Sequence, residues 1–117
     1  MDRAGIGKAC LGLPGATLDH PFGDQHDAYR VGGKMFVMVG ATGGVSFKVS
    51  DLAYEVLTET GRARPAPYLA RAKWVNIEDP EAAPDWDEAD LADHFRSAHA
   101  IVAKKLTRKQ RAALGLS

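Results

Sequence analysis

Seven cations and a tryptophan are spaced so that they could meet the phosphates of a nucleic acid. Arg30 and Lys34 bracket a Gly32-Gly33 pair, Lys48 closes a short β-prone run, and Arg62, Arg64, Arg71 and Lys73 crowd the acid-free stretch before Trp74. Lysine and arginine neutralise phosphate as point charges, and Tyr68 or Trp74 could stack on a base. The plainer account of the same residues is a solvated surface. Fifteen Lys plus Arg are matched by fifteen Asp plus Glu, so the chain as a whole lacks the basic excess of a dedicated nucleic-acid binder.

Other chemistries find less support. His20, His26, His94 and His99 are the histidines, and the last two, five residues apart on one helical stretch, stand about 140° apart around an axis, so they cannot grip one ion from one face. The stretch Glu78 to Asp93 holds eight acids and no base. Its composition would suit a hard cation if those acids converged with Asp19, Asp24 or Asp27, but a solvated helix start explains it as well. Ser46, Ser50 and Cys10 sit in no nucleophile pattern, and Cys10 on an amphipathic helix reads as a buried apolar side chain. The chain therefore reads as a binding module and not an enzyme, with no cofactor or metal site expected.

The elements that must position these groups follow from periodicity and turn chemistry. Ile6, Ala9, Cys10 and Leu13 give a short amphipathic helix from Arg3 to Leu13, stopped by Pro14-Gly15. Ala16 to Asp27 has no sustained period and reads as a connection, with Phe22 plugging the core. Strands over Asp27 to Val31, Lys34 to Gly40 and Val45 to Val49, joined by Gly32-Gly33 and Thr42-Gly43-Gly44, predict an antiparallel meander. Alternation of Val45, Phe47 and Val49 with Ser46 and Lys48 predicts one buried and one wet face. Ser50 caps a second helix that Gly61 ends, Arg62 to Lys73 is extended or looped, and Trp74 to Ile77 is a strand able to extend the meander. Asp85 and Glu88 have capping-box spacing before a helix expected from Trp86 to Leu106, followed by a helical turn or basic tail over Thr107 to Ser117. The long helix is polarised, because Arg96 to Arg111 holds six bases and no acid.

The fold class is thus α+β, in the order α-β-β-β-α-β-α, within a single domain spanning residues 1–117 and long enough to bury one core. The single cysteine fits a reducing compartment, and no run is long or apolar enough for a membrane span or a signal peptide, so a cytoplasmic location is expected.

With that order in place, the local strings become recognisable. Leu13-Pro14-Gly15-Ala16 with Pro21-Phe22-Gly23, then Val31-Gly32-Gly33-Lys34-Met35-Phe36, Pro67-Tyr68-Leu69 leading to Lys73-Trp74-Val75, and Val102-Ala103-Lys104-Lys105-Leu106 resemble the MmcQ/YjbR family across nearly the whole chain. The resemblance implies a frataxin-like (CyaY-like) fold and a double-wing arrangement proposed to bind DNA. The first wing would be the hairpin carrying Arg30 and Lys34, and the second contact region the basic segment before Trp74. The chain reads Leu69-Ala70-Arg71-Ala72-Lys73-Trp74 where relatives have an Asn-Lys-Lys-His-Trp type of string, so no histidine precedes Trp74 here. The expected partner is DNA, bound weakly and without sequence preference. The alternative is a protein-interaction or small-ligand domain, in which the acidic and basic blocks steer a partner.

Overall fold

Hydrophobic alternation and glycine turns lay down a six-stranded antiparallel sheet, described in a computed structural model over residues 1–116. Helix α1 (Arg3–Leu11) leads into β1 (Ala16–Asp19), β2 (Asp27–Val31), β3 (Lys34–Val39) and β4 (Val45–Lys48). Helix α2 (Asp51–Glu59), β5 (Arg64–Pro65), a 3₁₀ turn (Ala70–Ala72), β6 (Trp74–Ile77), α3 (Glu88–Ala103) and α4 (Arg108–Ala113) follow. The strand order is β1-β2-β3-β4-β6-β5, so β6 does extend the meander. The α+β class, the central meander and the Ser50 cap, whose side chain accepts from the Ala53 amide, agree with the sequence reading.

One sheet face is covered. Val37, Val39, Val45, Phe47, Val75 and Ile77 point to it and meet Leu91, Phe95, Ala98 and Val102 of α3 together with Ile6 and Cys10 of α1. Phe47 is central: Phe95, Trp86 and His94 have ring centres within 5.6, 6.1 and 5.6 Å of its own. A bulge supports this packing. Tyr29 pairs with Val37 and Arg30 with Met35, which leaves Phe36 without a partner strand residue and turns it, fully buried, onto His99 with ring centres 5.3 Å apart. His99 Nε2 in turn donates to the Pro14 carbonyl at 2.7 Å, tying α3 to the end of α1.

Four expectations need correction. Residues 16–19, read as connection, form strand β1. Four residues bounded by Pro14-Gly15 and His20-Pro21 are too few to show alternation, and the strand exists because β2 pairs with it. Phe22 does not plug the core: it is 57% exposed in the loop between β1 and β2, because Leu18 and Tyr29 hold that register. The segment 62–73, read as extended or looped, is extended at the two-residue edge strand β5, where Pro65 is tolerated because an edge needs no further ladder. The long helix is shorter than expected and is capped by Asp87, whose carboxylate accepts from the Asp90 amide at 2.8 Å. Trp86 lies before it, turned inward with its indole N–H donating to the Arg62 carbonyl at 2.8 Å. Finally, the face carrying Ser46 is not wet there, since Ser46 is 5% exposed. Residues 107–116 form the helical alternative, with a reciprocal Thr107–Gln110 capping box; Ser117 lies outside the described residues.

The β2–β3 turn uses both glycines at positive φ, 57° for Gly32 and 80° for Gly33. They are not equivalent. A Cβ on Gly32 would lie 2.6 Å from Leu106 Cδ1, whereas one on Gly33 would meet open space. Gly32→Ala is therefore expected to cost about 2 to 4 kcal/mol, strain and overpacking together, and Gly33→Ala about 1 to 2 kcal/mol from strain alone. Urea unfolding of the two variants measures the difference, and equal losses would show that the Leu106 contact carries no weight.

Candidate nucleic-acid interface

Antiparallel register collects charge at one end of the sheet. β3 begins at Lys34 where β2 ends, β4 ends at Lys48 opposite Trp74 where β6 begins, and α3 runs down to Lys104 and Lys105 at the same end. Leu106 seats on Gly32 there, so the hairpin and the end of α3 are in direct contact. The Lys48 ammonium donates to the Ala72 carbonyl, and the Val49 amide to the Lys73 carbonyl at 3.0 Å, which draws the segment bearing Arg71 and Lys73 onto the end of β4. Lys73 takes a left-handed backbone, φ 61°, and its ammonium lies 4.7 Å from the centre of the Tyr54 ring.

The electrostatics bear the mark of this crowding. Partial burial first, and then the Lys105 and Lys73 ammonium groups, hold Lys48 below the ordinary lysine value, and the Asp51 carboxylate pulls the other way. Like charges brought this close store repulsion that an anion would relieve.

The eight residues singled out from sequence divide. Lys34, Lys48, Arg71 and Lys73 share the basic end. Arg30 is spent on Asp19, Nε to Oδ2 at 2.8 Å, and on the Gly33 carbonyl at 2.9 Å. Arg64 faces Glu78 at 2.8 Å and donates to Asn76 Oδ1 at 2.9 Å. Arg62 covers Trp86, its guanidinium carbon 4.3 Å from the ring centre, and reaches the Asp85 carbonyl at 2.9 Å and Asp90 at 3.8 Å. Trp74 is only 5% exposed, so it packs instead of presenting a free ring, whereas Tyr68 stands fully exposed. Lys104 and Lys105 were missed as partners of this set. The signal available was the basic end of the long helix, and what linked it to the hairpin was the Gly32–Leu106 contact, which no local pattern reports.

The remaining chemistries are placed as follows. Cys10 is buried, and burial pushes its thiol up to about 12, so it carries no thiolate at neutral pH. Asp27 is tied to Arg3 at 2.8 Å, and among the described residues no three His, Cys, Asp or Glu side chains gather as a metal cage. Among the described residues no helix is long and apolar enough to cross a membrane.

A three-strand meander extended to six strands, with helices on one face and a glycine wing beside a basic segment, defines a class of small α+β domain. The YjbR family model matches residues 11–101, well over half of the chain, and the chain belongs to that family. Among solved structures it is similar to Deinococcus radiodurans protein DR2400, a DUF419 domain, at a TM-score of 0.82 and 24% identity, covering 96% of this chain and 86% of that one. That likeness establishes the shared fold. No curated protein matches the chain.

His94 checks the structural role given to Arg62. Burial, and then the Arg62 guanidinium, hold its pKa below the ordinary 6.5, against the upward pull of Asp90 and Asp93. The unfolded chain thus takes up the proton first as pH falls, so the stability from neutral His94 is complete above about 6.5 and declines below it toward the folded value. Arg62→Gln is expected to move the His94 midpoint upward in an NMR titration while leaving it below 6.5, since burial remains. An unmoved midpoint would remove Arg62 from the account.

Proposed function

We propose that this domain contacts nucleic-acid backbone through its basic end, with Lys34, Lys48, Arg71 and Lys73 as phosphate contacts and Lys105 completing the patch. The observation that carries the reading is the gathering of Lys48, Lys73 and Lys105 at one end of the sheet, where Lys48 donates to the Ala72 carbonyl and partial burial, then the Lys105 and Lys73 ammonium groups, hold it below the ordinary lysine value against the pull of Asp51. A net charge of zero does not oppose it. The acids of Asp87 to Asp93 lie at the far end of α3, whose 16 residues separate the two poles by about 24 Å. That distance exceeds the Debye length of about 8 Å at physiological salt, so a strand at the basic end is screened from the acids. The hairpin tip at Gly33 forms one side of the patch and the segment 70–73 the other, which accords with the double-wing arrangement proposed for the family. The set offers point charges and no evident reader of base edges, so binding is expected to be weak and indifferent to sequence.

Fluorescence anisotropy with labelled duplex and single-stranded DNA tests the proposal. Affinity should fall with salt at a log–log slope of about 3 to 5, corresponding to four or five neutralised phosphates. Lys34→Glu combined with Arg71→Glu should weaken low-salt binding about tenfold or more, while Arg62→Gln, whose charge is already paired, should change it less than about twofold. Unchanged affinity in the double variant would sink the assignment and direct the basic end to an acidic protein surface.

A further inference from the structure

The sheet face that carries no helix holds a row of residues in strict register: Ala28, Met38, Ser46, Asn76 and Arg64 lie side by side across β2, β3, β4, β6 and β5. A cavity of about 260 Å³ opens over this row, with His26 on one side and Pro67 and Tyr68 on the other. Its floor is polar yet buried, Ser46 being 5% and Asn76 8% exposed. Burial of such groups without a covering layer costs stability unless their bonds are made, so the valences left over are informative.

Both amide hydrogens of Asn76 are spent on the protein, and its oxygen is engaged. Its amide donates to Ser46 Oγ at 2.9 Å and to the Val45 carbonyl at 3.3 Å, and its oxygen accepts from Arg64 Nε at 2.9 Å. Ser46 Oγ therefore serves as an acceptor, and its own hydrogen finds no acceptor among the described residues. Arg64 meets one oxygen of Glu78 at 2.8 Å, which leaves further guanidinium N–H groups beside a second carboxylate oxygen. Donors thus stand next to an acceptor along one line, and Tyr68, fully exposed and held at φ 66°, supplies a flat ring at the rim.

We infer that this cleft binds a guanine-type base. An exocyclic carbonyl would accept from Ser46 and Arg64, and the adjoining ring N–H and amine would donate to Glu78. The ring would lie against Tyr68 and Met38. Adenine presents an amine where the carbonyl is needed and would leave the Ser46 and Arg64 donors unanswered. The base could arrive on a free nucleotide or on a single strand, since the cleft addresses its edge and ring alone.

The test is an amide-resolved NMR titration of the full chain with guanosine, adenosine and cytidine monophosphates. Guanosine monophosphate should move Thr42, Ser46, Asn76 and Tyr68 and bind about tenfold or more tightly than the other two. Ser46→Ala should weaken it about five- to tenfold, with changes in the ligand-free spectrum confined to residue 46 and its neighbours on β4 and β6, among them Asn76, whose amide loses an acceptor. A single-stranded oligonucleotide with one dG among thymidines that moves the same amides would assign the base to a strand, whereas response to the mononucleotide alone would assign it to the free nucleotide. No shift at these amides, equal binding of the three nucleotides, or full affinity in Ser46→Ala would overturn the inference. Phosphate contact at Lys48, Lys73 and Lys105 would respond to all three nucleotides alike, so the fate of the basic end is read separately.

Discussion

Everything at the charged end of this domain depends on the seat of Leu106 on Gly32. The chain leaving α3 passes Leu106 over the hairpin tip, and it can approach this closely only where no Cβ intervenes, which is at Gly32. The contact fixes how far α3 travels along the sheet. Further up, His99 bonded to the Pro14 carbonyl and packed on Phe36 fixes the same helix against slipping or rotating. Between these two points α3 has one register, and Lys105 is delivered beside Lys48 as a consequence.

That delivery separates charge in a molecule that has none overall. Acids at the start of α3 meet the positive end of its dipole, and Asp87 spends its carboxylate on the cap, so the acidic pole stabilises the helix that carries it. The basic pole is less favourable to the fold. Lys104 and Lys105 lie just beyond the last helical residue, where the dipole favours cations, but burial and then the Lys105 ammonium disfavour the charge on Lys48. A domain selected only for stability would gain by exchanging one of these lysines for an acid. Three arginines show the opposite arrangement, each answered by a carboxylate: Arg30 by Asp19, Arg62 by Asp90 and Arg64 by Glu78.

How much of this was legible in the sequence depends on the range of the determining contact. The hairpin at Gly32-Gly33, the Ser50 cap and the strand at Trp74 rest on neighbours within a few residues, and those parts of the fold read directly from residue types. Strand β1 and the inward turn of Trp86 depend on partners elsewhere in the chain, on β2 and on Arg62 and Phe47, and local patterns are silent about them. The same division runs through the site. That Lys34, Lys48, Arg71 and Lys73 would gather followed from the meander. That Arg30, Arg62 and Arg64 would be spent on Asp19, Asp90 and Glu78, and that Lys105 would join, required knowing which strands lie beside which and where the helix ends.

The alternation in β4 illustrates a further limit, because Ser46 and Lys48 look alike as outward polar positions and meet different fates. Lys48 lies in the last ladder pair of β4, opposite Trp74, and its long side chain reaches over the sheet end to the Ala72 carbonyl. Ser46 is too short to reach out, lies between Met38 and Asn76, and is largely buried at the floor of the cleft. A sheet face without a covering helix ordinarily keeps its polar atoms in solvent, where their bonds need no design. Here Asn76, Arg64 and Glu78 form a chain of contacts that satisfies every amide atom of Asn76 and stops short at the Ser46 hydroxyl hydrogen. Valine there would leave the buried Asn76 amide hydrogen without its acceptor, so the hydroxyl oxygen has a partner within the chain while its hydrogen has none among the described residues. A buried hydroxyl kept open toward a cavity is the arrangement expected when the missing partner comes from outside the chain.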